Sequence, residues 1–393
     1  MSALGLQTLT PHLYRVPLDQ PVVTSFGTMR ARWALWVCVQ DADGAQGWGE
    51  VWCNFPDSGA LHRCRLLQEV FTPLLPALHG DHPAAWSAQI AARTRILRLQ
   101  SAEFGPIDQC AAGIDTALWD LHARRLGQPL YRVLRQALNG SALKAGGHAD
   151  HTAAPVRMRA YASGINPQGT GQTLSLAAQT GHRAFKVKLG FGNDTDLRTL
   201  REARAAAGDR WLAADANQGW TLEQARAFLP QLAQFKLVWM EEPLAADAAA
   251  EDWQALKASA PMPLAAGENI NHLSAFDAAL QHWGLGVMQP DLAKWGGFTG
   301  CLEVVRRCLA RGVMYCPHYL GGGIGLMASA HLLAASGQDG LLEMDINPNP
   351  LRTEVLSGAL TPQEGWVSLP DTPGLGLTPD LTAMKVWAQS LPN

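Results

Sequence analysis

A chain of 393 residues is long for one domain and suits a barrel-sized domain with a smaller companion, and its 47% apolar content supports a large core. Its 31 basic and 34 acidic residues are spread along the chain and leave a net charge of -3, so no polyphosphate-binding or nucleic-acid surface is expected. The start, MSALGLQTLTPHLYRVP, has no basic segment followed by an apolar run, and no stretch approaches the roughly 20 apolar residues of a bilayer span, so a cytoplasmic protein without membrane contacts is expected.

In chain order, VVTSFGTMRAR (22–32) is polar and contains glycine, and reads as a mobile loop. ALWVCVQDADGAQGWGEVW then reads as strand, D-x-D-G turn and strand, which is a hairpin signal. CNFPDSG (53–59) is a second irregular stretch. Farther on, CAAGIDTALWDLHARRLGQP places Ile114, Ala117, Leu118 and Leu121 on one helical face, with Arg124 and Arg125 in the last turn, Gly127 as C-cap and Pro129 beyond. NGSALKAGGHADHTAAP (139–155) is poor in bulky residues and reads as an excursion between domains. The seven cysteines are odd in number and show no C-x-x-C pair, which fits small buried hydrophobes better than a disulfide frame or a zinc knuckle.

A rhythm starts near residue 157. Eight short strand-like runs recur: MRAYASG, AFKVKLG, WLAADAN, LVWMEEP, PLAAGEN, GVMQPD, GVMYCPH and LLEMDIN, with helix-competent stretches such as LEQARAFLPQLAQF between them. The last seven runs end in ionisable residues at intervals of 23 to 27 residues, the length of one strand, one helix and two loops. Strands alternating with helices predict parallel pairing, and eight units predict an α/β fold of the (β/α)8-type TIM barrel. The ionisable residues then gather at the C-terminal ends of the strands, where barrel enzymes keep their chemistry.

Asp215, Glu241 and Glu268 end the third, fourth and fifth runs. Glu241 is assigned to the barrel mouth, and its neighbour Glu242, one step along a strand, to the outside, where a helix or a neighbouring chain satisfies it. Three carboxylates converging from adjacent strands repel strongly and call for a cation. Oxygen-only ligands favour Mg2+, with Mn2+ next, over zinc. Lys186 and Lys188, two apart on the second run, face one side, and their mutual repulsion with partial burial is expected to lower the pKa of at least one toward that of a working base. Asp291 ends the sixth run and His318 the seventh, so the carboxylate orients the imidazole. Glu343 on the eighth run and Asn217 after the third complete the ring as candidate braces. Each residue alone is as readily a helix cap or a packed side chain; the common spacing is what favours a site.

The motifs KVK, DAN, EEP, GEN, QPDLAKWGG and PH, in this order and spacing, resemble the enolase superfamily and within it the mandelate racemase subgroup; GIDTALWDLHARRLGQPL also resembles that superfamily, so the likeness covers nearly the whole chain. The resemblance implies an N-terminal α+β capping domain (1–130), a linker (131–156), the barrel (157–346) and a C-terminal segment (347–393) completing the capping domain. It implies Asp215, Glu241 and Glu268 as ligands of Mg2+ set against a substrate carboxylate, Lys188 as one base and the His318–Asp291 dyad as the other, with Lys186 stabilising an enolate and a protonated Glu343 donating to the other carboxylate oxygen. The muconate cycloisomerase subgroup has a lysine at the position of Asp291, so Lys294 is not that base. Acid-sugar dehydration to a 2-keto-3-deoxy acid is the expected reaction and racemisation or epimerisation of a 2-hydroxy acid the alternative. Arg30 and Arg32 are expected to approach the hydroxyls or second carboxylate of a small-molecule acid, and a homo-oligomer is expected. A Schiff-base aldolase using Lys186 or Lys188, and a noncatalytic metal-stabilised binding barrel, are the competing classes.

Overall fold

A computed structural model describes residues 5–23, 27–140 and 156–391. The first unit is a three-stranded antiparallel sheet, β1 (Leu6–Val23), β2 (Thr28–Asp41) and β3 (Gln46–Val51), in that order. The expected turn between β2 and β3 forms because Asp41 Oδ1 accepts from the N–H groups of Asp43 and Ala45 while Gly44 adopts φ 84°. The stretch expected to be a loop at 22–32 is largely strand: Val22 pairs with Met29 and Val23 with Thr28, and Thr24, Ser25 and Phe26 lie outside the described residues. Its polar composition hides the fact that alternate residues, Met29, Ala31 and Trp33, are buried.

Helix Phe104–Arg125 carries the predicted apolar face, and nearly all of its central residues are buried under the sheet and against helix Gly297–Arg311. The segment after it is not a linker at once. Leu130–Leu138 is a helix that buries Leu130, Tyr131, Val133 and Leu134, an i, i+3, i+4 pattern that packs on helix Gly323–Ser336. Residues 141–155 of the predicted excursion lie outside the described residues.

The eight runs form eight parallel strands: β4 (Arg157–Ile165), β5 (Ala184–Lys188), β6 (Trp211–Asp215), β7 (Met240–Glu241), β8 (Leu264–Ala266), β9 (Val287–Met288), β10 (Met314–Tyr315) and β11 (Leu341–Asp345). They pair in the order β10-β9-β8-β7-β6-β5-β4-β11, a nearly closed barrel whose seam is spanned by the Leu341 N–H donating to Cys316 Sγ at 3.3 Å. Tyr161, Trp239, Val287, Leu341 and small residues fill the interior, so the barrel is a packed core with its chemistry confined to one end. All seven cysteines are free and buried. No helix among the described residues is long and apolar enough to cross a membrane.

The C-terminal segment serves both units. β12 (Trp366–Ser368) pairs antiparallel with the start of β4, while the N–H of Gln389 donates to Leu13 O on β1. His331, fully buried, ties three parts together: its Nδ1 accepts from the N–H of Tyr131 and its Nε2 bonds Leu375 O. That pattern requires a neutral ring, and burial lowers its pKa to about 4. Because the folded value lies below the unfolded one, this stabilisation is whole above about pH 6.5 and is lost as pH falls toward about 4. The share of the acid-induced loss of unfolding free energy that belongs to His331 should therefore be on the order of 3 kcal/mol in that window. His331→Gln should flatten the slope; an unchanged slope would show that the unfolding equilibrium does not sense this ring.

Candidate active site

Strand register brings the candidate residues to one level: Lys188 lies opposite Asp215, and Asp215 opposite Glu241, on three neighbouring strands. Five of the nine candidates, Lys188, Asn217, Glu268, His318 and Glu343, line one cavity of about 480 Å³ between the barrel and the three-stranded unit. Lys186, Asp215 and Asp291 stand behind them, bonded to Glu343, Lys188 and His318, and Glu241 lies one step farther back, bonded to Lys186.

Lys186 is fully buried and is the hub of the floor. Its Nζ lies 2.5 Å from Glu241, 2.8 Å from Glu343 and 3.6 Å from Asp215. A buried ammonium costs several kcal/mol unless compensated, and three carboxylates do so here. Lys188 Nζ lies 2.6 Å from Asp215. The expectation of a lowered lysine pKa is not met. Burial does favour the neutral amines, but the carboxylates outweigh both burial and lysine–lysine repulsion, so Lys188 is raised and Lys186 raised well above its ordinary value. In this arrangement both amines are held as ammonium ions by the carboxylates around them.

Asp215 is braced from its own loop, accepting from the backbone N–H of Asn217 at 2.7 Å and from its side-chain amide at 3.3 Å. Glu241 Oε2 accepts from Gln289 and Trp239, and burial raises its carboxyl to about 7. Glu242 does not point outward. β7 ends at Glu241, and Glu242 has φ 38°, so strand alternation no longer governs its direction; its buried carboxylate is held by the Asn269 amide, which also donates to Glu268.

Across the mouth, Asp291 is fixed by the N–H groups of Ala293 and Lys294, and its other oxygen lies 2.9 Å from His318 Nδ1. His318 Nε2 is therefore turned inward, where it meets Glu268 and lies 3.9 Å from Glu343. Burial alone would keep the imidazole neutral, but Glu268, Glu343 and Asp291 raise it to about 10. Burial likewise pushes Glu343 up, yet Lys186 and His318 hold it below the usual carboxylate range, so in this arrangement it is an acceptor and not the protonated donor expected of it.

Asp215, Glu241 and Glu268 are buried and electrostatically coupled: Glu268 pushes Asp215 up and Asp215 pushes Glu241 up. Among the described residues no three acidic, histidine or cysteine side chains form a ready metal cage, because each carboxylate is turned onto a cationic partner, Lys188, Lys186 or His318. Chemically the set still fits a hard divalent ion, since it offers only carboxylate oxygens and draws positive charge onto every one of them.

Sequence reasoning missed several lining residues. Lys294 Nζ lies 3.1 Å from Asn269 Oδ1, 3.8 Å from Glu268 and 5.0 Å above the Trp52 ring. Trp52, Phe55, Met29 and Val22 form an apolar wall from the three-stranded unit, while Ser163, Asn166 and Gln218 present polar groups from the barrel. Arg30 is exposed and outside the lining. Arg32 does line the cavity, but its guanidinium is spent on Asp345 at 3.1 Å and on Pro348 O, a pairing more than 300 residues apart in sequence that local pattern does not reveal. KVK, DAN and GEN were the legible signals for the floor; that the wall from the first unit is apolar was not legible, because single apolar residues in a hairpin read as core.

Residues 9–134 match the mandelate racemase/muconate lactonizing enzyme N-terminal domain, and residues 171–383 match the enolase C-terminal domain-like family. A solved structure described as mandelate racemase/muconate lactonizing enzyme from Bordetella bronchiseptica RB50 is 46% identical, with a TM-score of 0.87 and coverage of 98% of this chain and 99% of that one. The D-galactarolactone cycloisomerase of Agrobacterium fabrum is 29% identical over 95% of this chain and 96% of its own length. The D-galactonate dehydratase of Verminephrobacter eiseniae is 27% identical over 90% and 91%.

Proposed function

Given that the chain belongs to the mandelate racemase/muconate lactonizing enzyme family of the enolase superfamily, we propose that it removes the proton α to the carboxylate of a small-molecule acid and dehydrates an acid sugar to a 2-keto-3-deoxy acid. The observation that carries this reading is that Lys188 and His318, the latter oriented by Asp291, border one cavity from opposite walls, β5 and β10 being separated by four strands one way and two the other. Such a pair can address the two faces of one substrate.

Asp215, Glu241 and Glu268 would hold Mg2+. The chemistry it supplies when bound is positive charge, which neutralises the three carboxylates, weakens the hold of Asp215 on Lys188 and stabilises an enolate. Lys186 adds a fixed ammonium beneath the same charge and needs no reorganisation to do so. Lys188, as the free amine, takes the α-proton. Asp291 keeps the imidazole oriented through Nδ1, so the Nε2–H of the imidazolium is aimed into the cavity, where it protonates a departing β-hydroxyl. Ser163, Asn166, Gln218 and Lys294 are the groups placed to meet sugar hydroxyls, in place of Arg30 and Arg32.

Similarity to D-galactonate dehydratase supports dehydration. Racemisation is the second reading, favoured by the same pair of opposed groups: if the substrate has no β-hydroxyl, His318 returns a proton to the α-carbon itself. A screen of acid sugars in heavy water, with Mg2+ and with chelator, distinguishes them. The expected result is a 2-keto acid formed only with the metal. Exchange with inversion and no keto acid selects racemisation, and silence on every acid sugar with turnover of an aryl or amino acid derivative overturns the substrate assignment.

A further inference from the structure

The glycine-rich run after His318, YLGGGIG, has no part in the chemistry above. Facing it is Glu50 of β3, only 3% exposed, whose two oxygens accept from the N–H groups of Gly322 at 2.6 Å and Gly325 at 2.9 Å, while the Tyr319 hydroxyl donates to the same carboxylate. The charge among the strongest influences on Glu50 is Asp291, of like sign. Among the described residues no cation pairs with this buried carboxylate, so these three donors hold it, and all three belong to the segment that begins at His318. A Cβ at Gly322 would stand 2.5 Å from Glu50 Oε1, and at Gly321 or Gly325 it would strike the Tyr319 hydroxyl. The glycines are there to let Glu50 and Tyr319 in. Asn54 grips the same segment, donating to Leu320 O at 2.5 Å.

We infer that Glu50 is a positioning residue for His318: from the three-stranded unit it fixes the Tyr319–Gly325 segment and thereby the place of the imidazole. This rests on the reading of His318 as a proton-transfer group at one face of the substrate, and it makes that face of the chemistry answer to the other unit of the fold. Glu50→Gln replaces one acceptor oxygen by an N–H donor facing a donor and so breaks at least one contact; Tyr319→Phe removes one donor, keeps the ring and guards against a misfolded first variant.

In substrate-free protein, carbethoxylation of His318 by diethyl pyrocarbonate, measured by peptide mass spectrometry against the exposed His79, should quicken roughly 2- to 10-fold in either variant, the shift worth one hydrogen bond. With substrate, α-proton exchange should fall at the His318 face and hold at the Lys188 face, which general loosening would not produce. An unchanged His318 rate in both folded variants, or equal loss at both faces, overturns the inference. If wild type exchanges no α-proton while the His318 rate still responds, the positioning stands and the reading of His318 as a proton-transfer group falls. If wild type exchanges and the rate does not respond, the reverse holds.

Discussion

Lys188→Ala is expected to lower turnover by about 10³-fold or more while leaving the fold and the carboxylate set in place. The magnitude is that of a positioned base, typically 10²–10⁴. The side chain is partly exposed, and Asp215 keeps Lys186 at 3.6 Å and both Asn217 contacts once Lys188 is gone, so no buried charge is orphaned. His318→Asn should cost a similar factor for a different reason. Asp291 remains fixed by two backbone N–H groups, so what is lost is the Nε2 proton carrier and not the wall around it. Steady-state rates read beside thermal midpoints check both. A loss of less than about tenfold in a folded Lys188→Ala protein would remove it from the chemistry.

Glu241→Gln is expected to cost at least about 10-fold in Mg2+ affinity and about 10²-fold in turnover. Glu241 receives donors at both oxygens, Lys186 on one side and Gln289 with Trp239 on the other, so a glutamine amide must turn an N–H toward a donor whichever way it flips. Lys186 still keeps Glu343 and Asp215, so collapse of the floor does not account for the loss. Titration calorimetry with Mg2+, alongside turnover, tests it. Full turnover of the variant in chelator would take Glu241 out of the metal set.

The barrel was legible because each strand and helix carries its own local pattern and because charged residues at strand ends recur at a fixed interval. The carboxylates, the KVK lysines and the Asp291–His318 pair were legible for the same reason: register converts equal spacing into equal height. What failed depended on contacts between distant residues. The lysine pKa values follow from carboxylates on β6, β7 and β11 and not from the KVK pair itself. Glu242 escaped the alternation rule through one left-handed dihedral, Arg32 is consumed by Asp345, and the glycines after His318 make sense only with Glu50 seated against them. Helix Leu130–Leu138 was readable from Leu130, Val133 and Leu134, and low bulk in the stretch that follows obscured it.

That two groups act from opposite faces is tested most directly by the fate of the α-proton in heavy water, followed by NMR in the Lys188→Ala and His318→Asn proteins. His318→Asn should exchange the α-proton of one configuration only, through Lys188, and Lys188→Ala should exchange only the other, with both exchanges abolished by chelation. Loss of exchange for both configurations in either folded variant, or exchange that survives chelation, would contradict it.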